Sequence, residues 1–231
     1  MLVPLTDESF KQVIPAIATG EQYRYYWGSP QDFLQRLLVA VIGIVVAIAI
    51  GSFLPDLESV ALIVGLVTGL FWYWWPVCQA SWRNREFRGY RYAGFWEGEV
   101  VDVFRSDRKV GTEETVDKTG RLVLIDKLET MLNLELEDEN GFQARFRVPL
   151  KKEHKGIRRG MLAQMVVLSN DPRLGRIEKY TDVYLPQKDI WVSDYPYLKR
   201  DLFQFVAQRI IRQIESQRRR DDYDRYDESR Y

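Results

Sequence analysis

Residues 37–54 read LLVAVIGIVVAIAIGSFL, eighteen positions without a charge. A helix rising about 1.5 Å per residue over this run is about 27 Å long, close to the hydrocarbon thickness of a bilayer. Pro55, Asp56, Leu57 and Glu58 separate it from a second uncharged run over residues 59–82, long enough to span with some tilt. A soluble fold would have to cover two such helices, and a domain this small leaves no surface to do so. The sequence therefore predicts a transmembrane helical hairpin over residues 37–82.

The short connection makes the hairpin antiparallel and puts both chain ends on one side. Arg24 and Arg36 precede the first run, Arg83, Arg85, Arg88 and Arg91 follow the second, and the turn carries only Asp56 and Glu58. The positive-inside rule then places both termini in the cytoplasm. No basic n-region with a small-residue cleavage site precedes Leu37, so the expectation is an uncleaved anchor without signal or transit peptide.

Gly43, Ala47 and Gly51 recur every four residues on the first run, and Gly65 with Gly69 forms GxxxG on the second. Small residues at that spacing let helix backbones approach, and packing drives association where lipid is as apolar as leucine. These five residues are the candidate helix-packing seam, or one stripe docks a helix of another protein. Trp72, Trp74 and Trp75, with Trp82 and the basic Arg83, Arg85 and Arg88, are the candidate membrane-interface group. Tyr23, Tyr25, Tyr26 and Trp27 supply its counterpart before the first run, since amphipathic rings settle at headgroup depth. Pro76 is expected to kink the second helix. The runs hold no Asp, Glu, Lys, Arg or His apart from the turn, which removes the usual marks of an ion or proton pathway.

Beyond residue 94 the period changes to two. Residues 97–104 read as a strand, 117–120 as a turn and 122–125 as a further strand. Leu132, Leu134 and Leu136 alternate with polar residues, as do Phe142, Ala144, Phe146 and Val148. A three-residue loop, Glu139-Asn140-Gly141, pairs Leu136 with Ala144, Leu134 with Phe146 and Leu132 with Val148, and puts Gly141 at the left-handed bulge position. A two-residue loop would set those leucines against Arg145 and Arg147. Residues 151–159 suggest a loop or short helix, 165–168 a buried strand, and 177–185 another strand. Five to seven short strands imply a small barrel or sandwich. Leu198, Leu202, Phe205, Val206, Ile210 and Ile214 recur at helical spacing, predicting an amphipathic helix over 199–217 that packs on it.

The expected class is thus an α+β membrane protein. Its divisions are a cytoplasmic segment over 1–36, the hairpin over 37–82 and a basic juxtamembrane linker over 83–93. A mainly-β cytoplasmic domain with its C-terminal helix follows over 94–217, then a disordered tail over 218–231.

Chemistry is sparse. Lys plus Arg equals Asp plus Glu at 33 each, so net charge selects no partner. The single cysteine, Cys78, excludes an internal disulfide and makes a thiolate metal cluster implausible. The single histidine, His154, lies in the charged string KKEHK and reads as a solvated loop residue. No phosphate-cradling glycine loop, zinc spacing or nucleophile motif occurs. The basic 151–159 stretch lacks interleaved aromatics, which argues against nucleic-acid binding. Catalytic, cofactor and metal residues are therefore expected to be none.

The strings Tyr26-Trp27-Gly28-Ser29-Pro30, WYWWPV with WRNREFRGYRYAGFWEGEVVDV, and Asp194-Tyr195-Pro196-Tyr197-Leu198 carry a resemblance. Over about residues 20–210 the chain resembles conserved thylakoid membrane proteins of cyanobacteria and chloroplasts. Relatives often bear a label of phosphate transporter permease, from which this chain departs in having two spans and no coupling loop between spans. The resemblance implies a photosynthetic membrane, with the plasma membrane as alternative, and a non-enzymatic role in assembling or maintaining a membrane complex. Its partners would be the bilayer and the subunits of that complex. The other readings are a membrane-tethered small-ligand or lipid-headgroup binding module and an auxiliary transporter subunit.

Overall fold

The computed structural model describes residues 1–116 and 122–228, so the turn expected over 117–120 lies outside the described residues. The chain divides into two compact units, one of residues 11–90 and one of residues 1–10 with 91–231. Helix α1 (Asp7–Val13) crosses that division in sequence.

In the helical unit each start is written locally. α2 (Gly20–Trp27) opens with a capping box in which Thr19 Oγ1 accepts the Gln22 N–H and Gln22 Oε1 accepts the Thr19 N–H. α3 (Pro30–Phe53) opens with a second box, Ser29 with Asp32, and has Pro30 at its first position, where the missing N–H costs nothing. After a short 3₁₀ turn come α4 (Glu58–Gly69) and α5 (Phe71–Arg88).

α4 and α5 meet at a bend of 69° centred on Leu70. The sequence reading puts the kink at Pro76, but Pro76 is buried inside α5. The bend occurs where Gly69 ends α4, and the Trp74 indole N–H compensates by donating to the Val67 carbonyl at 2.9 Å. By length and composition α3 alone can cross a membrane, whereas α4 and α5 qualify only as one bent pair. Residues 83–88 continue α5 rather than forming a linker.

The second unit is one antiparallel sheet. Its strands are β1 (Leu2–Pro4), β2 (Tyr92–Val116), β3 (Leu122–Glu137), β4 (Gln143–Pro149), β5 (Leu162–Ser169), β6 (Lys179–Tyr180), β7 (Val183–Leu185) and β8 (Ile190–Val192). The order is β4-β3-β2-β5-β7-β8, with β1 pairing β2 and β6 pairing β5. The β3–β4 register sets Leu136 opposite Ala144, Leu134 opposite Phe146 and Leu132 opposite Val148, as the three-residue loop requires. Gly141 has φ +80°, and Asp138 Oδ1 accepts the Asn140 and Phe142 N–H groups at 2.9 and 3.0 Å, closing the loop.

The sheet curls around a single core that joins Trp96 and Val100 to Leu134, Met165, Val183, Leu185 and Val192. β4 and β6 approach through side chains: the Phe146 and Tyr180 rings lie 4.6 Å apart, and Tyr180 donates its hydroxyl to the Arg145 carbonyl at 2.9 Å. One curled sheet thus stands where the sequence left barrel and sandwich open.

α6 (Arg200–Glu228) covers the outer face, with Phe203 against Phe95, Tyr184 and Trp191 at ring distances of 6.1, 6.3 and 5.5 Å. Its buried stripe is Phe203, Val206 and Ala207; Phe205 is 64% exposed, so the packing face is rotated from the one expected. The helix also continues to Glu228, past the expected end near residue 217 and into the stretch read as disordered.

Candidate membrane-interaction site

The five small residues singled out above lie together between α3 and α4. A Cβ placed on Gly43 would stand 2.5 Å from the Thr68 Cβ. One on Gly65 would stand 3.2 Å from the Ala47 Cβ, one on Gly51 3.5 Å from the Ala61 Cβ, and one on Gly69 3.2 Å from the Ile44 Cδ1. Ala47 and Ala61 are buried, so the backbones approach along most of the pair. Thr68, against which Gly43 packs, keeps its hydroxyl on the Val64 carbonyl of its own helix at 2.7 Å. Away from the seam, Leu38, Val41, Val45 and Ile48 of α3 and Leu62, Ile63 and Leu66 of α4 are exposed.

The two aromatic groups interlock at one end of the unit. Trp27 stacks on Phe33 at 5.6 Å, and both meet Trp72 edge-on at 6.2 and 5.9 Å. Trp75 stacks on Phe71 at 5.0 Å and meets the exposed Trp82 at 5.6 Å. Of the three basic residues, Arg85 is exposed and Arg83 half-buried. Arg88 donates to the Lys11 and Ile14 carbonyls at 3.1 and 2.8 Å, so it ties down backbone.

Two contacts here have no trace in periodicity. Gln22 and Asn84 are fully buried and exchange side-chain amide hydrogen bonds of 2.9 and 2.8 Å, locking α2 to α5. Arg36 is 6% exposed and donates to the carbonyls of Asp32, Tyr26 and Trp27. The only local signals are the T-x-x-Q capping string for Gln22 and an arginine at the foot of an apolar run for Arg36.

In the sheet unit, β2 and β3 run past their neighbours as a two-stranded ribbon over residues 105–116 and 122–130. Even-numbered leucines share one face of β3. Leu132, Leu134 and Leu136 are buried in the core, while Leu122, Leu124 and Leu128 on the same face are 73%, 66% and 61% exposed. A cleft of about 500 Å³ lies between the sheet and α6, lined by Ile211, Ile214, Arg218 and six carboxylates that include Glu97, Glu137 and Glu215. Among the described residues no group of three metal-type side chains is placed to hold an ion.

His154 is not a solvated residue. It is 2% exposed, sits in a 3₁₀ turn and accepts the Lys151 N–H on Nδ1 at 3.2 Å. Burial lowers its pKa, against a weaker opposing pull from Glu153. Asp182, also fully buried, accepts the Tyr197 and Leu198 N–H groups at 2.8 and 3.3 Å and so fixes the approach to α6. Desolvation raises its pKa to about 7, against the lowering effect of those two hydrogen bonds and of Arg200.

Fold and surfaces together define an α+β protein with an apolar helical unit and a curled antiparallel sheet unit. The chain belongs to a family of unknown function, DUF8619, which it matches over residues 3–219 and hence across both units. No curated protein and no solved structure matches it.

Proposed function

We propose that this protein is a membrane-anchored, non-enzymatic accessory or assembly factor for a membrane complex. In this reading α3 and the bent α4–α5 pair cross the bilayer as a hairpin with both chain ends cytoplasmic. The sheet unit and its ribbon engage partner subunits on that side. The observation that carries the reading is the uncharged exterior of residues 37–53 of α3 and 59–69 of α4, exposed on every side but the seam. The exposed leucines of the ribbon support a protein partner for the sheet unit, because they extend an apolar face that finds no cover in the described residues of that unit. The resemblance to thylakoid proteins extends the proposal to a photosynthetic complex.

A ligand sensor built on the sheet would need a chamber on its concave side, and there Trp96, Leu134, Met165 and Leu185 fill the space. The test is affinity capture of a tagged full-length chain from gently solubilised native membranes, after carbonate washing. The proposal expects retention in the washed membrane and recovery of a defined complex or assembly intermediate. Release by carbonate, or capture of bulk membrane protein alone, would overturn it.

A further inference from the structure

We propose that the outer edge of β3 over residues 122–128 receives an extended segment of a partner protein as an added antiparallel strand. This rests on the protein-partner role proposed above for the sheet unit and specifies the kind of segment that fills it. β3 pairs with β2 along its whole length but with β4 only over residues 131–137, because β4 ends at Pro149, whose nitrogen carries no N–H. The last bond on that side runs from the Leu150 N–H to the Thr130 carbonyl at 3.0 Å. In an antiparallel ladder alternate residues turn both backbone groups to the same edge, and β3 has no bulge between Leu122 and Thr130. The N–H and C=O groups of Leu122, Leu124, Asp126 and Leu128 therefore face outward as the Thr130 carbonyl does, and no described residue pairs with them.

Those four residues also set the chemistry of the incoming segment. Their side chains share the face of Leu132, Leu134 and Leu136, and Leu122, Leu124 and Leu128 are exposed on it. Where the edge is filled, Val148, Phe146 and Ala144 of β4 stand opposite Leu132, Leu134 and Leu136. Every pairing in this sheet is antiparallel. A strand that continues the line of β4 along β3 thus places an apolar side chain opposite each exposed leucine.

Charge does not guard this edge. Asp126 is held by Lys109 at 2.5 Å and Glu129 by Arg108 at 3.0 Å, and Lys127 is engaged as well. These contacts turn the charges back onto the chain, whereas an edge strand ordinarily repels another with charges that project from it. The outer edge of β2 is different: bulges at Val101 and Val110 interrupt it, a recognised form of edge protection. Lipid does not suit the β3 edge, since hydrocarbon offers its N–H and C=O groups no partner.

The probe is a short, uncharged, fluorescein-labelled peptide of alternating valine and threonine. It is titrated with the full-length chain in neutral detergent and followed by fluorescence anisotropy. In antiparallel addition, valines whose side chains lie over the leucines point their own N–H and C=O groups at β3. N-methylation of the threonine amides blocks only the far edge and leaves binding intact. N-methylation of the valine amides blocks the near edge and weakens binding at least about tenfold. Leu124→Thr with Leu128→Thr weakens binding of the threonine-methylated peptide by a similar factor. Hydrogen exchange on the unaltered chain is the second readout: the peptide protects the amides of Leu124, Asp126 and Leu128 and leaves those of Lys127 and Glu129, which point toward β2, unchanged.

Absence of binding by the threonine-methylated peptide, equal binding of both methylated forms, or protection confined to other strands would overturn the proposal. So would the same protection without peptide, whether from a second copy, seen as a dimer in analytical ultracentrifugation, or from added lipid vesicles. If the double leucine variant does not fold, the two methylated peptides and the exchange pattern carry the decision. Failure of the accessory-factor reading would show as affinity capture that recovers no complex while the peptide still binds; failure of this proposal alone would show as the reverse.

Discussion

Alanine at three seam glycines should give three different answers, because one added methyl meets a different neighbour at each. At Gly43 the new Cβ would lie 2.5 Å from the Thr68 Cβ, against an ordinary carbon contact of about 3.5–4.0 Å. A Cβ cannot swing away as a side-chain tip can, so α3 and α4 must separate by about 1 Å. At Gly65 the nearest atom is the Ala47 Cβ at 3.2 Å, a shortfall of a few tenths of an ångström. At Gly51 the Ala61 Cβ stands at 3.5 Å, an ordinary contact.

Replacing glycine by alanine inside a helix gains about 1 kcal/mol at every site, while overpacking costs about 1–3 kcal/mol where it occurs. Gly51→Ala then comes out stabilised by up to about 1 kcal/mol, Gly65→Ala near neutral, and Gly43→Ala destabilised by about 1 kcal/mol. The spread between the extremes is about 2 kcal/mol, or about 30-fold in the folded ratio.

The assay is SDS titration in mixed micelles, read by excimer fluorescence between pyrenes on Ile48→Cys and Leu62→Cys, which line one groove of the pair, with Cys78→Ser. If Gly43→Ala is as stable as Gly51→Ala, the close approach of the two helices at Gly43 is wrong.

Three further outcomes concern the sheet unit. Asp182 has a folded pKa raised to about 7 by burial against about 3.9 unfolded, so its contribution is fully present below about pH 4 and is lost as pH rises through 7. Urea unfolding followed by tryptophan fluorescence should show the unit less stable at pH 8 than at pH 5 by at most about 3 kcal/mol, and Asp182→Asn should flatten that slope; a flat wild-type profile refutes the assignment. Gly98→Ala should destabilise the unit by about 3 kcal/mol in thermal melts, because its Cβ would meet the Glu137 carbonyl oxygen and the buried Trp96 ring at 2.4 Å. In the ribbon, Asp126→Asn with Glu129→Gln removes the partners of Lys109 and Arg108, and hydrogen exchange should quicken over residues 105–116 and 122–130 while β5 amides keep their protection; equal loss in β5 would refute a ribbon pinned by its own cross-strand pairs.

What was legible followed from regular spacing. The apolar runs gave the positions of α3 and α4, and alternation with Asn140-Gly141 gave the β3–β4 register, because a one-residue slip would turn every leucine outward. The position of the bend was not legible: Pro76 is the evident breaker, yet it sits inside the unbroken α5, while the break falls at Leu70, six residues earlier, beside Gly69 and the Trp74 indole's bond to the Val67 carbonyl. β1 and β8 are three residues each, too short for a period, and are fixed by pairing with β2 and β7. Charged neighbours disguised His154, whose ring is drawn inward by the 3₁₀ turn. Arg36 read as a topogenic charge because its carbonyl partners, Tyr26 and Trp27, come within reach only once the chain reverses at Gly28.

A magnitude bears on the lipid cover proposed for the helical unit. Leu34, Leu38, Val41, Ile42, Val45 and Ile48 of α3, with Val60, Leu62, Ile63 and Leu66 of α4, are all at least half exposed. Fully burying such a side chain is worth about 1.5–3 kcal/mol, so covering what these ten leave open is worth about 10 kcal/mol or more, the scale of an entire domain's stability. A single protein partner covers one face of a helix pair, but at about 100° per residue the exposed Leu37, Val39, Val41, Ile42, Ile44 and Val46 spread over about 220° around α3. Only a surrounding apolar medium, or several helices at once, meets that geometry. On the proposed membrane reading the bilayer is that medium, and the sheet unit, with its ribbon of exposed leucines, is the part left to select a partner.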